Sequence, residues 1–170
     1  LGQSDPEHGL QTEAGLVYDL ASVSKVVGVG TLLIFLWYQG KLDLERPVTD
    51  FLSECDYPDI SIGQLLTHAT DLDPFIPNRD QLSADELKKA MFHLNRREKP
   101  AFLYSDVHFL LLGFVLERIF NQNLDVILQE QVFNLWGMNE TQFGPVERAV
   151  PTVRGKKAGL VHDPKAALLG

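Results

Sequence analysis

Cysteine is nearly absent: Cys55 is the only thiol in 170 residues, which excludes an internal disulfide and a cysteine-built zinc site and leaves the compartment open. Positive charge is scarce as well, with 15 Lys+Arg against 23 Asp+Glu and a formal charge of −8. A nucleic-acid binder needs a net basic face to displace counterions, so no nucleic-acid partner is expected. Basic residues gather only at Arg154, Lys156 and Lys157, read as a solvated patch. No apolar run reaches the roughly 20 residues that span a bilayer. The longest, Val26 to Trp37, reads as a buried helix. No transmembrane segment is therefore expected, nor a signal peptide in Leu1-Gly2-Gln3-Ser4-Asp5-Pro6, which is polar and lacks a charged opening. The five histidines show no His-Glu-x-x-His or other metal spacing, so neither a metal nor a cofactor is expected. Gly28-Val29-Gly30 lacks the third glycine of a dinucleotide loop, having Leu33 instead; small residues admitting a second helix explain it better. A Gly-x-Ser-x-Gly elbow is missing too, which disfavours an ordinary α/β-hydrolase.

What is present is a core-forming composition. The chain is 45% hydrophobic and 22% charged, enough for one domain or slightly more, and disorder is excluded. Residues 1–17 are turn-rich. A helical run is expected over about 22–39, ended by Gly40 in the left-handed conformation that closes helices. A turn of helix follows at 48–52. Ser61 with Gln64, and Ser83 with Glu86, have capping-box spacing, predicting helices over 61–68 and 83 to about 94. Two more apolar helices are expected at about 106–120 and 124–134, the latter ending before Gly137. Residues 144–165 carry Gly and Pro breakers and little periodicity. Strand patterns are scarce, and the portion reads as mostly helical.

Two clusters could carry chemistry. In Ser22-Val23-Ser24-Lys25, the i, i+3 spacing on a helix sets a hydroxyl beside an amine. The helix N-terminus adds unpaired backbone N–H groups and positive dipole, which favour negative charge developing on an attacked carbonyl. A desolvated lysine can lose its proton and serve as base for the serine. With 7 Ser and 8 Lys, about 0.3 such pairs arise by chance, so an N-cap serine beside an exposed lysine is the stronger reading of this motif alone. In Tyr104-Ser105-Asp106 the phenol can shuttle a proton and the carboxylate can orient a lysine. The plainer alternative makes Tyr104 a core cap and Asp106 an N-cap, and Tyr57-Pro58-Asp59 repeats the pattern.

Order and context change these odds. Tyr18-Asp19-Leu20-Ala21-Ser22-Val23-Ser24-Lys25 resembles the F-D-L-A-S-V-T-K nucleophile segment of the class C β-lactamase-related serine hydrolases, within the penicillin-recognising superfamily. Gly40 to Val48 resembles that group's G-K-L-x-L-D-D-P-V, and Leu65 to Leu72 its L-L-T-H-T-S-G-L. Tyr104 to Gly113 is similar to Y-S-N-x-x-Y-x-L-L-G, and Leu135 to Thr141 to P-L-G-M-x-D-T. The resemblance covers roughly residues 18–141 in family order. It implies an α+β, β-lactamase/transpeptidase-like fold and a serine acyl-transfer reaction on an amide, ester or β-lactam carbonyl. Ser22 would be the nucleophile, Lys25 and Tyr104 would share the general acid–base work, and the Ser22 N–H would supply part of the oxyanion hole. His68 would be a buried hydrogen-bonding residue rather than a base. The substrate would be a small molecule or a peptidoglycan-like peptide, in a bacterial cell envelope or cytoplasm; nothing indicates an oligomeric state.

Two departures from the family pattern bear on function. Asp106 stands where the family more often has Asn. A carboxylate there would hold Lys25 as an ammonium, leaving Tyr104 as the base. The third motif, a Lys-Thr-Gly or His-x-Gly strand, would follow the stretch Gly159 to Pro164, and the chain ends at Gly170. The opening strands before the nucleophile are also largely missing. Residues 1–170 therefore read as a partial domain: a nucleophile helix and helical subdomain, with most of the antiparallel sheet absent. The alternative function is a catalytically silent relative or a helical binding module.

Overall fold

A computed structural model describes residues 2–144, 146, 148–152, 161 and 163–169. The Arg154, Lys156 and Lys157 cluster lies outside the described residues, as do Gly159, Leu160 and His162. The chain divides into two compact units, residues 1–23 with 143–170, and residues 24–142.

The first unit holds the strands. β1 (Gln3–Asp5) and β2 (Leu10–Gln11) form an antiparallel two-stranded sheet with an irregular register between Gln3 and Asp5. The Asp5 carboxylate organises the connecting turn, accepting from the Glu7 and His8 N–H groups at 3.2 and 3.3 Å. Val17 forms a parallel bridge with Ala149, built from Val17 N–H to Arg148 C=O at 3.1 Å and Val150 N–H to Val17 C=O at 2.8 Å. The short α6 (Pro164–Leu169) is a helix that periodicity did not foreshadow. Its start is chemical: Asp163 Oδ1 accepts from the Lys165 and Ala166 N–H groups at 2.7 and 2.9 Å, and proline stands at the first helical position.

The second unit is helical. A π-helical turn (Lys25–Gly30) runs directly into α1 (Thr31–Tyr38). Then come α2 (Ile62–Leu66), α3 (Ala84–Phe92), α4 (Asp106–Phe120) and α5 (Leu124–Leu128), the last passing into a second π-helical turn (Gln129–Phe133). Both predicted capping boxes are present, Ser61 with Gln64 and Ser83 with Glu86. α4 is the centre: Val107, Leu111, Leu112, Val115 and Leu116 are buried. The Lys25–Gly30 turn, α2 and α5 all pack on it. Cys55 is buried, and desolvation with the neighbouring Glu54 and Asp56 charges pushes its thiol up to about 12.

Two expectations are corrected. The run Val26 to Trp37 is not a buried helix throughout. Leu32, Leu33 and Leu36 face the core, whereas Ile34, Phe35 and Trp37 are exposed, because a helix apolar on all sides offers only one side to α4 and to the 129–133 turn. The cap of α4 is also not Asp106. Ser105, extended at φ −146°, accepts from the Val107 N–H at 3.2 Å, and Asp106 is the first helical residue.

Small residues set the packing at the start of this unit, as the Gly28-Val29-Gly30 run suggested. A Cβ on Gly28 would come to 2.8 Å from Leu128 Cδ1 in α5. A Cβ on Gly30 would lie 3.0 Å from the Lys25 carbonyl oxygen, which the π-helical turn brings beneath it.

Gly30→Ala is therefore expected to destabilise the chain by about 1 kcal/mol in urea unfolding, against the usual gain from replacing a helical glycine. Leu111→Ala, in the middle of α4, is expected to cost about 2–5 kcal/mol in the same measurement.

Candidate active site

Ser22 lies at the end of the first unit in a shaped turn. Val23 N–H donates to the Leu20 carbonyl at 2.9 Å, and Ala21 N–H donates to Asp19 Oδ1 at 2.8 Å. Ala21 has φ 46°, a left-handed conformation that costs a non-glycine residue roughly 1–2 kcal/mol. Helical backbone starts at Val23, immediately after the serine, and Ser22 is exposed. A strained turn that presents a serine ahead of a helix is a common functional arrangement.

In the second unit, Lys25, Tyr104 and Asp106 come together. Lys25 Nζ is 2.7 Å from Asp106 Oδ1, with the side chains only 16% and 31% exposed. The same ammonium lies 5.2 Å from the centroid of the Tyr104 ring and hydrogen-bonds to its hydroxyl. Burial by itself would lower the lysine pKa. The bonds to Asp106 and Tyr104 outweigh it and hold Lys25 above its usual range, so it is an ammonium at neutral pH. Asp106 gains further from its place in the first turn of α4, where the helix dipole favours a carboxylate.

The two Tyr-x-Asp patterns separate cleanly. Tyr104 is 52% exposed beside Lys25, whereas Tyr57 is 1% exposed. Tyr57 Oη donates to the Met91 carbonyl at 2.8 Å and accepts from the Leu94 N–H, so it fastens the end of α3. Asp59 pairs with Arg96 at 2.5 Å. The second pattern is a piece of scaffold.

Behind Tyr104 is a polar cluster that sequence reasoning located only in part. His68 Nδ1 is 2.9 Å from His108 Nδ1, and His108 Nε2 is 2.9 Å from Thr70 Oγ1. The Ser105 N–H donates to His68 Nδ1 at 3.3 Å, and the Leu72 N–H to Thr70 Oγ1 at 3.2 Å. His68 is buried and hydrogen-bonded, in keeping with the role expected for it. Its ring lies 4.8 Å from that of Tyr104 and 5.3 Å from that of Phe109. His108, Thr70 and Ser105 were not singled out. The signal for His108 was slight: a histidine three residues after the helix cap, in a run of valine, phenylalanine and leucine. Among the described residues no group of three or more His, Cys, Asp or Glu is placed to hold a metal, and no helix is long and apolar enough to cross a membrane.

Comparison with known proteins gives these features a setting. The Beta-lactamase family matches residues 1–169. Among curated relatives, a protein of Escherichia coli O157:H7 provisionally named D-alanyl-D-alanine carboxypeptidase is 28% identical, over 91% of this chain and 42% of its own length. A Salmonella gallinarum protein with the same provisional name is 25% identical, over 92% of this chain and 43% of its own. The chain thus spans about two fifths of the length of these relatives. Among solved structures, a class C β-lactamase from Rhodobacter sphaeroides superposes with a TM-score of 0.68 at 21% identity, covering 93% of this chain and 49% of that one. A D-amino acid amidase from Ochrobactrum anthropi gives 0.70 at 22%, covering 88% and 45%. The mostly helical portion described above is accordingly part of a β-lactamase/transpeptidase-like fold, and the chain belongs to the Beta-lactamase family.

Proposed function

We propose that this chain carries the nucleophile and proton-transfer groups of a serine hydrolase that works through an acyl-enzyme on an amide, ester or β-lactam carbonyl. The observation that carries the reading is the Lys25–Asp106–Tyr104 cluster, which starts three residues after Ser22. In the reactive form Tyr104 is the phenolate, balanced by the nearby Lys25 ammonium; Ser22 Oγ attacks the carbonyl carbon while its proton passes to Tyr104 Oη, giving the phenol. Collapse of the tetrahedral intermediate breaks the bond to the leaving group, which takes the proton from Tyr104. Water then repeats the sequence on the acyl-enzyme, releasing the acid and restoring Ser22. The Ser22 N–H, at the start of helical backbone, supports negative charge on the carbonyl oxygen. Asp106 is a positioning residue: it keeps Lys25 charged and so keeps it from serving as the base. A peptide ending in D-alanyl-D-alanine is the first substrate to try, a choice suggested by the provisional names of the relatives.

Two outcomes test this reading. A fluorescent penicillin or a fluorophosphonate is expected to add covalently to the chain, as read by intact mass. Ser22→Ala should abolish the adduct and Tyr104→Phe should slow it about 10²–10⁴-fold. No labelling of the wild-type chain by either probe would favour the binding-module alternative. Second, Asp106→Asn removes the partner that raises the Lys25 pKa, so the basic limb of the labelling pH–rate profile is expected to move to lower pH. A basic limb that stays in place would count against Lys25 being held as an ammonium by Asp106.

A further inference from the structure

Three helix ends in the second unit close with the same pair of hydrogen bonds. After α1, Lys41 N–H donates to Leu36 C=O and Gly40 N–H to Trp37 C=O, both at 2.9 Å, with Gly40 at φ 68°. After the 129–133 turn, Met138 N–H donates to Phe133 C=O at 2.8 Å and Gly137 N–H to Asn134 C=O at 3.3 Å, with Gly137 at φ 69°. After α2, Ala69 N–H donates to Gln64 C=O at 2.9 Å and His68 N–H to Leu65 C=O at 3.2 Å, with His68 at φ 57°. The position that glycine fills without strain at two ends is held by histidine at the third. A side chain kept where its backbone is strained points to work done by that side chain.

Donor–acceptor matching shows what His68 does. A backbone N–H can only donate, so His68 Nδ1, which receives the Ser105 N–H, carries a lone pair. His68 is therefore protonated at Nε2. The facing His108 Nδ1, 2.9 Å away, must then be the donor. Burial holds His108 neutral at pH 7, so its Nε2 is the acceptor for the Thr70 hydroxyl, whose oxygen in turn receives the Leu72 N–H. Every link has one orientation, and both imidazoles are neutral. The chain of bonds ends on Ser105, the cap of α4, between Tyr104 and Asp106. Tyr104 is also held from the other side, since the Leu103 N–H donates to the His68 carbonyl at 3.0 Å.

We propose that His108 is a positioning residue: through its Nδ1–H it locks the tautomer of His68, and the locked pair holds Ser105 and hence the Tyr104 hydroxyl in register with Lys25. The geometry is supported by the electrostatics. Burial first, then the proximity of His68 and the Arg97 charge, pushes His108 down to about 4, and burial and Lys25, partly opposed by Asp106, lower His68. Arg97 closes the cluster, donating to the Thr70, Leu72 and Ala101 carbonyls. Because the folded His108 pKa lies below that of a free histidine, the stability that this neutral arrangement contributes is complete above about pH 6.5 and is lost as pH falls towards 4. The effect on reaction rate rests on the serine-hydrolase reading; the tautomer lock does not.

Long-range ¹H–¹⁵N spectra of the chain at pH 7 should show His68 as the Nε2–H tautomer and His108 as the Nδ1–H tautomer. A His68 protonated at Nδ1, or either ring doubly protonated, would overturn the assignment. His108→Asn keeps an N–H donor near the Nδ1 position, while His108→Leu removes it. The Tyr104 ring resonances should move in the leucine variant and stay near wild type in the asparagine variant. Ser22 labelling by a fluorophosphonate should slow at least tenfold in His108→Leu at unchanged probe affinity, and recover to within about threefold in His108→Asn. If folded His108→Leu leaves the Tyr104 ring in place and labels at the wild-type rate, the proposal is wrong. If wild-type Ser22 is not labelled, the hydrolase reading fails, and the tautomers and the Tyr104 resonances alone decide the lock.

Discussion

The constraint on which the second unit turns is the charge of Lys25. A lysine as little exposed as this one cannot remain an ammonium without a partner, and Asp106 at 2.7 Å is that partner. The pair ties the π-helical turn at 25–30 to the first turn of α4, the most buried helix of the unit. Removing either charge would strand the other in a half-buried setting, so packing and electrostatics reinforce each other at this joint. Tyr104 joins the same ammonium from the cation–π side, and its place in any chemistry follows from the pair.

The polar cluster behind Tyr104 is built on a different principle. Around Lys25 two opposite charges compensate each other, whereas around His108 the burial is deep enough that charge is refused. Neutral imidazoles are orienting devices, since one nitrogen must give and the other must receive. The segment 68–73 runs antiparallel to 95–103 through bonds such as Asp73 N–H to Asn95 C=O at 2.9 Å. The histidine pair then fastens that ribbon to α4. The ion pair and the neutral pair thus grip the two sides of one short stretch, residues 103–106.

Elements whose signals are local were legible in the sequence. Ser61 with Gln64 and Ser83 with Glu86 announce their helices because a capping box is a four-residue chemical unit, and Gly40 marks a helix end for the same reason. The family motifs carried the candidate residues even where spacing statistics did not. The rest depended on distance along the chain. Nothing local distinguishes Tyr57 from Tyr104, since one is buried under α3 and the other faces a lysine 79 positions earlier in the numbering. The His68–His108 bond joins residues 40 apart. The two π-helical turns use a hydrogen-bond register that no residue propensity encodes. Asp106 looked like a cap because aspartate often is one, yet Ser105, one position earlier, has the extended backbone the role requires.

The burial of Cys55 has a practical reach beyond the core it fills. With its thiol pushed up to about 12 by burial and the neighbouring carboxylates, Cys55 stays a protonated thiol at neutral pH, and the sulfur is shielded by the fold. The native chain is thus silent towards maleimides and similar reagents while it stays folded. A cysteine placed at an exposed position would be the one reactive thiol, so a dye or spin label could be attached there without first deleting the natural residue. Reaction at Cys55 itself would report unfolding.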